Sequence, residues 1–361
     1  MNITVVGGGN IGTQFAAHCC AHGHRVSVYT SQFDTFPSSV KVIDANGDCI
    51  LSGAVECATY DPRKAVKDCD VIIITTPAFL ANEIAEKLTP YIEKNTKVIF
   101  VPGSGGMEWA FKSLLDKECS LYGLQRVPSV ARLKEKGAVY CEGYRGELHI
   151  AALPKSDIEF GRRLIENLFD TPCTALDNYL NVTMVPSNPI LHTCRLYSLF
   201  NDYSPGKVYE SIPLFYQDWT DEASALLFEC DDEVQHICGK INSLSGFDMS
   251  CVKSLKAHYE SYTVHDMTEK IKSIKGFQGL TTPSKMVDSG YVPDFDSRYF
   301  TADFPYGLQL LCEIAQLCQV ETPYMHRILS WYNKIVSFHS SFHFSDYGVH
   351  VYDELNDFYA M

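Results

Sequence analysis

Asn188-Pro189-Ile190-Leu191-His192 places an amide and an imidazole four residues apart, so both fall on one face of a helix, with Arg195 a turn further on. Pro189 suits the start of such a helix, where its missing N–H is not needed. An imidazole in that setting can exchange a proton near neutral pH. A second charged group comes much later, in Arg298-Tyr299-Phe300-Thr301-Ala302-Asp303-Phe304-Pro305-Tyr306-Gly307. There Arg298 offers a bidentate cation and Asp303 a carboxylate, just ahead of what reads as a Pro-started helix. Taken one at a time, His192 also suits an ordinary helix residue and Asp303 a helix-initiating one.

A third feature is Gly7-Gly8-Gly9-Asn10-Ile11-Gly12, between a β-rich run at residues 2–6 and a helical stretch at 13–21, with a second strand at 25–29. Strand, glycine turn, helix, strand is the context in which GxGxxG binds a dinucleotide. Gly7 permits the tight turn, Gly9 lets the backbone approach a pyrophosphate and Gly12 lets the helix lie close on the strand. The N-terminal N–H groups, at Asn10 and Ile11, then point at phosphate. The second strand ends in Tyr29-Thr30-Ser31-Gln32. An acid at that point would bond the ribose 2'-OH and repel a 2'-phosphate, so Thr30 and Ser31 favour NADP over NAD, though no Arg follows directly. A further loop, Pro102-Gly103-Ser104-Gly105-Gly106, follows a predicted strand at 97–101 and is expected, through Gly103 and Ser104, to face the nicotinamide or the substrate.

These residues need a scaffold of two kinds. Runs at 70–75, 97–101 and 148–153 are apolar without alternation, as in parallel strands covered on both faces, and helix-compatible stretches at 81–91 and 107–115 lie between them. Beyond Pro186 the texture turns to long helical stretches at 188–200, 221–244 and 306–319. The expected fold class is α/β: an N-terminal Rossmann-type doubly wound sheet over residues 1–182, then a mainly α-helical domain over 183–361. Two domains agree with a length of 361 residues at roughly 100–200 residues per domain.

The chain resembles the opine dehydrogenase family, whose members join a dinucleotide domain to a helical dehydrogenase domain. The likeness rests on Gly7 to Gly12, on Pro128-Ser129-Val130-Ala131-Arg132, on Asn188 to His192 and on Arg298 to Leu308, with Thr322-Pro323 after it. It implies that His192 and Asp303 form a catalytic dyad assisted by Asn188, with Asp303 fixing the imidazole tautomer. It likewise makes Arg298 the candidate anchor of a substrate carboxylate, while Arg132 is either a second substrate contact or a structural residue. The implied reaction joins an amino acid to a 2-oxo acid such as pyruvate, with loss of water and hydride reduction of the imine. Ser129-Val130 departs from the family pattern, which leaves the amino acid unnamed. Two other readings are a 2-oxo-acid or 3-hydroxyacid reductase without an amine partner, and a nucleotide-binding protein without turnover.

Composition narrows the partners. A net charge of −14, from 44 acids against 30 bases with no basic run, argues against nucleic acid and anionic membrane. The longest apolar segment, 71–81, is too short to span a bilayer. Fourteen Cys are scattered among apolar runs without a CxxC pair, and Cys230, His236 and Cys238 lack a second pair at zinc-ligand spacing, so no metal is expected. Reduced thiols and the lack of a signal peptide point to the cytoplasm. A homodimer is compatible with the sequence but not specified by it.

Overall fold

The unbroken Val and Ile runs become central strands because a strand covered on both faces has no polar side to show. In the computed structural model, which describes residues 1–336 and 340–361, one sheet has eight strands. Their order is Cys173–Ala175, Leu148–Leu153, Ser120–Leu124, Lys97–Phe100, Val71–Ile74, Asn2–Val6, Arg25–Tyr29 and Cys57–Thr59. Asn2–Val6 runs parallel to both of its neighbours, with Ile3 opposite Val26 on one side and Val71 on the other. The glycine loop therefore leaves the carboxyl end of a central strand where the strand order turns back, the place at which open α/β sheets bind ligands.

Leu148–Leu153 departs from the expected parallel arrangement, running antiparallel to Ser120–Leu124 with Ile150 opposite Leu124. Apolar continuity reports burial on both faces, which this strand has, and carries no information about direction. A second sheet, Cys49–Ala54, Ser39–Ile43, Ala138–Glu142 and Val130–Glu135, packs with the helix Asn10–Ala21. The stretch at 107–115 is shorter than expected, splitting into Met107–Ala110 and a 3₁₀ segment, Lys112–Lys117.

The chain divides into two compact units, residues 1–183 with 357–361, and residues 184–356. The helical half expected to run to residue 361 thus ends earlier, because the last residues anchor on the first unit. Phe358 stacks on Trp109 at 3.9 Å, and the Tyr359 hydroxyl accepts from Trp109 Nε1 (2.8 Å) and donates to Glu108 Oε1 (2.6 Å). Helical periodicity cannot say which surface a terminal aromatic pair will find. Glu108 is wholly buried, takes a second hydrogen bond from Thr183 Oγ1 (2.9 Å), and has no partner at Oε2. Burial pushes its carboxyl up to about 7.

An acid whose folded value lies above its unfolded one adds its full stability below the unfolded value and loses it as pH rises through the folded value. Stability should therefore decline between pH 4.5 and about 7 on account of Glu108, by about 3 kcal/mol at 1.36 kcal/mol per unit. His18, pushed down to about 4 by burial, acts in the opposite sense, losing stability as pH falls from 6.5. Urea unfolding of E108Q against the wild type at pH 5 and pH 8 cancels the His18 contribution. The variant should gain on the wild type at pH 8, and equal differences at both pH values would contradict this.

The second unit is built on the helices Asn188–Phe200, Asp221–Ser245, Val264–Ser273, Gln309–Leu317 and Pro323–Ile335. Two of their ends are capped locally, where Thr220 Oγ1 accepts from Ala223 N–H and Gly246 stops its helix at φ 71°, and a third from a neighbouring helix, where the Glu233 carboxylate accepts from Tyr324 and Met325 N–H. Asp303 does not precede a helix as expected. It lies inside Tyr299–Leu308, a π-type helical segment in which Gln309 N–H reaches the Phe304 carbonyl. The wider turn accommodates Pro305, which has no N–H to give and would crowd an α-helical carbonyl.

Among the described residues no helix is long and apolar enough to cross a membrane. Among the described residues, which include all fourteen cysteines, there is no disulfide.

Candidate active site

The glycine loop has the geometry that a phosphate cradle requires. Gly7 sits at φ +106°, with its N–H on the Tyr29 carbonyl (2.9 Å). A Cβ on Gly12 would stand 1.8 Å from the Gly7 carbonyl oxygen, so the helix can lie this close to the strand only as glycine. At Gly9, by contrast, a Cβ would meet nothing within 4 Å. Packing does not require a glycine there, whereas a pyrophosphate approaching the backbone would. The helix starts without a side-chain cap and without an acid in its first turn, leaving the N–H groups of Asn10 and Ile11 for an anion. These residues fit a dinucleotide.

Asn10 has a second task, since its Oδ1 accepts from Leu133 N–H (2.9 Å) and ties the Val130–Glu135 strand to the glycine-loop helix. Thr30 is buried beneath the loop with its hydroxyl on Gln32 N–H (3.3 Å), while Ser31 is exposed. The same turn carries Thr35, whose hydroxyl accepts from Lys136 Nζ (2.5 Å), a cation not anticipated from sequence.

Gly103 is explained by packing, as a Cβ would stand 2.5 Å from Gly123 Cα, and its carbonyl accepts from Tyr179 Oη (3.1 Å). Ser104 is half-buried beside Gly105 and Gly106, both at positive φ. Arg132 is exposed on its strand and bonds only the neighbouring Ala131 carbonyl (3.1 Å) among the described contacts.

In the second unit His192 and Asp303, 111 residues apart in sequence, meet at 2.7 Å between Nδ1 and Oδ2. Both side chains are largely buried, at 10% and 16% exposure, so this contact is not a solvent-screened surface pair. A carboxylate only accepts, so Nδ1 carries the proton and Nε2 is left with the lone pair. Nε2 is 2.7 Å from the Tyr216 hydroxyl. Phe215 and Tyr299 stand around the ring at 5.7 and 4.6 Å between centroids.

Asn188 is exposed at the start of the histidine helix, one turn before His192, and Arg298 is exposed at the start of the segment bearing Asp303. Sequence reasoning missed Tyr216. It lies in Phe215-Tyr216-Gln217-Asp218-Trp219, an aromatic stretch without periodicity, and only the fold reveals which ring faces the imidazole.

A glycine loop that fits a dinucleotide in one unit and a histidine–carboxylate pair in a helical second unit are the features expected of a nicotinamide-dependent oxidoreductase. Residues 175–336 match the family model described as NAD/NADP octopine/nopaline dehydrogenase, alpha-helical domain, and residues 3–155 that of ketopantoate reductase PanE/ApbA. The chain is 30% identical to an opine dehydrogenase of Haliotis discus hannai over 78% of its own length and 73% of the relative's. It is 26% identical to the tauropine dehydrogenase of Arabella iricolor, over 92% and 91%. A solved octopine dehydrogenase with NADH and pyruvate superposes with a TM-score of 0.79 at 25% identity, covering 92% of this chain and 88% of that one. The chain belongs to the opine dehydrogenase family. It is an NAD(P)-dependent oxidoreductase whose reaction class is the reductive condensation of an amino acid with a 2-oxo acid.

Proposed function

We propose that residues 1–182 hold the cofactor, residues from 183 hold the substrates, and His192 with Asp303 handles the proton in joining an amino acid to pyruvate or a close 2-oxo acid. The observation that carries this reading is the buried 2.7 Å His192–Asp303 contact. Pyruvate enters as the substrate type of the octopine dehydrogenase that the chain resembles.

Gly7, Gly9, Gly12 and the N–H groups of Asn10 and Ile11 would hold the pyrophosphate, with Gly103 and Ser104 near the nicotinamide. When bound, the nicotinamide supplies the hydride that ends on the former carbonyl carbon. His192 removes a proton from the substrate ammonium as nitrogen attacks that carbon, then returns it to the carbinolamine hydroxyl, which leaves as water. Over those two steps the imidazole ends as it began. Asp303 holds the tautomer and stabilises the imidazolium between them. Asn188, on the same helical face, offers an amide to the reacting oxygen.

Arg298 offers a bidentate site for the oxo-acid carboxylate, and Arg132 is the candidate for the second carboxylate. R298A should raise the KM for pyruvate roughly 10- to 100-fold, the worth of a charged hydrogen-bond pair, and R298K should recover part of it. An unchanged KM would remove Arg298 from the substrate.

NADP is favoured over NAD because Thr30 and Ser31 put no acid at the ribose and Lys136 puts a cation on the same turn. A cytoplasmic setting fits fourteen cysteines that form no disulfide among the described residues.

The test is a panel of amino acids with pyruvate, followed by NADPH and NADH absorbance. Turnover should need both organic substrates and should show the lower KM for NADPH. Turnover independent of the amine would assign a carbonyl reductase instead.

A further inference from the structure

We infer that Tyr216 and Arg195 are positioning residues for His192: Arg195 sews the loop that carries Tyr216 to the histidine helix, and the Tyr216 hydroxyl holds the imidazole by Nε2. This rests on the reading of His192 as the proton-transfer group.

Arg195 is almost completely buried, at 1% exposure, yet the donors of its guanidinium go to three backbone carbonyls. Nε donates to Phe215 (2.8 Å), and Nη2 donates to Leu214 (3.2 Å) and Asp218 (2.8 Å). The group also lies over the Trp219 ring at 5.5 Å. Burial pushes its pKa down to about 10, with the Asp218 charge opposing. Burying a cation is costly before its hydrogen bonds are counted.

The segment held is irregular, with one bridge, Leu214 to Thr281, and the Leu214, Phe215 and Asp218 carbonyls take hydrogen bonds from Arg195 in place of those that a strand or helix would give. Arg195 and His192 are three residues apart on one helix, which presents them on the same face. The loop is thus fastened to that helix at two points a turn apart, by its carbonyls on Arg195 and by the Tyr216 hydroxyl on His192.

Further contacts stiffen it. Leu214 N–H donates to Asp218 Oδ2 (2.7 Å), and the Tyr216 ring stacks on Phe277 at 4.0 Å and 14°.

A hydroxyl suits this position because it can donate to the neutral ring and then turn aside. With Asp303 on Nδ1, the Tyr216 O–H holds the bare Nε2 of the neutral ring until substrate arrives, and releases that nitrogen to the proton of the substrate ammonium. The ring is therefore set in one plane before its charge changes.

The experiment is a double-mutant cycle on the full-length protein with pyruvate, a good amino acid and NADPH, using Y216F, H192A, their combination, and R195K, with thermal melting alongside. Y216F should lower kcat roughly 10- to 100-fold with both substrate KM values within about threefold, and should displace the midpoint of the kcat–pH profile. R195K, which keeps the charge but loses the fork, should move kcat and the profile the same way by less. Adding Y216F to H192A should cost nothing more, because Tyr216 acts through the imidazole.

A Y216F enzyme with wild-type kcat and pH profile, or a loss that adds in full to that of H192A, would overturn the inference while leaving the role of His192 standing. Wild-type turnover by H192A would overturn both.

Discussion

H192A should lose roughly 10²- to 10⁴-fold in kcat, the span that a positioned acid–base group supplies. D303N should fall nearly as far although its shape is unchanged, because an amide in place of the carboxylate can present N–H to Nδ1 and stabilise the wrong tautomer, and because it leaves a buried imidazolium uncompensated. The two substitutions should be far from additive, since each disables the same 2.7 Å unit. Cofactor affinity should stay near the wild-type value in both, because the glycine cradle belongs to the other unit. Steady-state kinetics with a fluorescence titration of NADPH check this. A D303N enzyme within tenfold of wild type would reduce Asp303 to a structural residue.

G12A and G9A should separate what the glycine loop needs for folding from what it needs for binding. At Gly12 the new Cβ would stand 1.8 Å from the Gly7 carbonyl oxygen and 2.8 Å from its carbon, both backbone atoms fixed by the central strand. The helix must retreat, which should cost about 3 kcal/mol or more of stability and abolish measurable cofactor binding. At Gly9 a methyl group meets no protein atom within 4 Å, so the fold should keep its melting temperature within a degree or two. NADPH affinity should nonetheless fall tenfold or more, because the methyl group occupies the approach of the pyrophosphate. Thermal melts and fluorescence titrations of both variants decide it, and G9A with wild-type affinity would remove the phosphate from that position.

What could be read from residues alone follows the range of the forces involved. The glycine loop was legible because strand, turn and helix are local. The helix Asn188–Phe200 was legible because its period and its Pro near the start are local too. The pairing of His192 with Asp303 was not readable from spacing, since 111 residues separate them, and it came from resemblance.

The direction of Leu148–Leu153 was missed because burial on two faces looks the same for parallel and antiparallel partners. Asp303 was placed ahead of a helix because Pro305 ordinarily starts one, and a π-type turn around a proline leaves no local signature. Arg195 was visible as a charge on the histidine's face, but its burial and its three carbonyl partners depend on a loop twenty residues away, as the Phe215 contact shows. Tyr216 was hidden for the same reason, one aromatic among several in a stretch without periodicity.

The central claim is tested most directly by the fate of the hydride. Incubating the enzyme with pyruvate, an amino acid and NADPH carrying two deuteriums at C4, then analysing products by mass spectrometry, should yield an N-(1-carboxyethyl) amino acid heavier by one deuterium at the carbon of the former carbonyl. Deuterium recovered in lactate, with the amino acid unchanged, would contradict it.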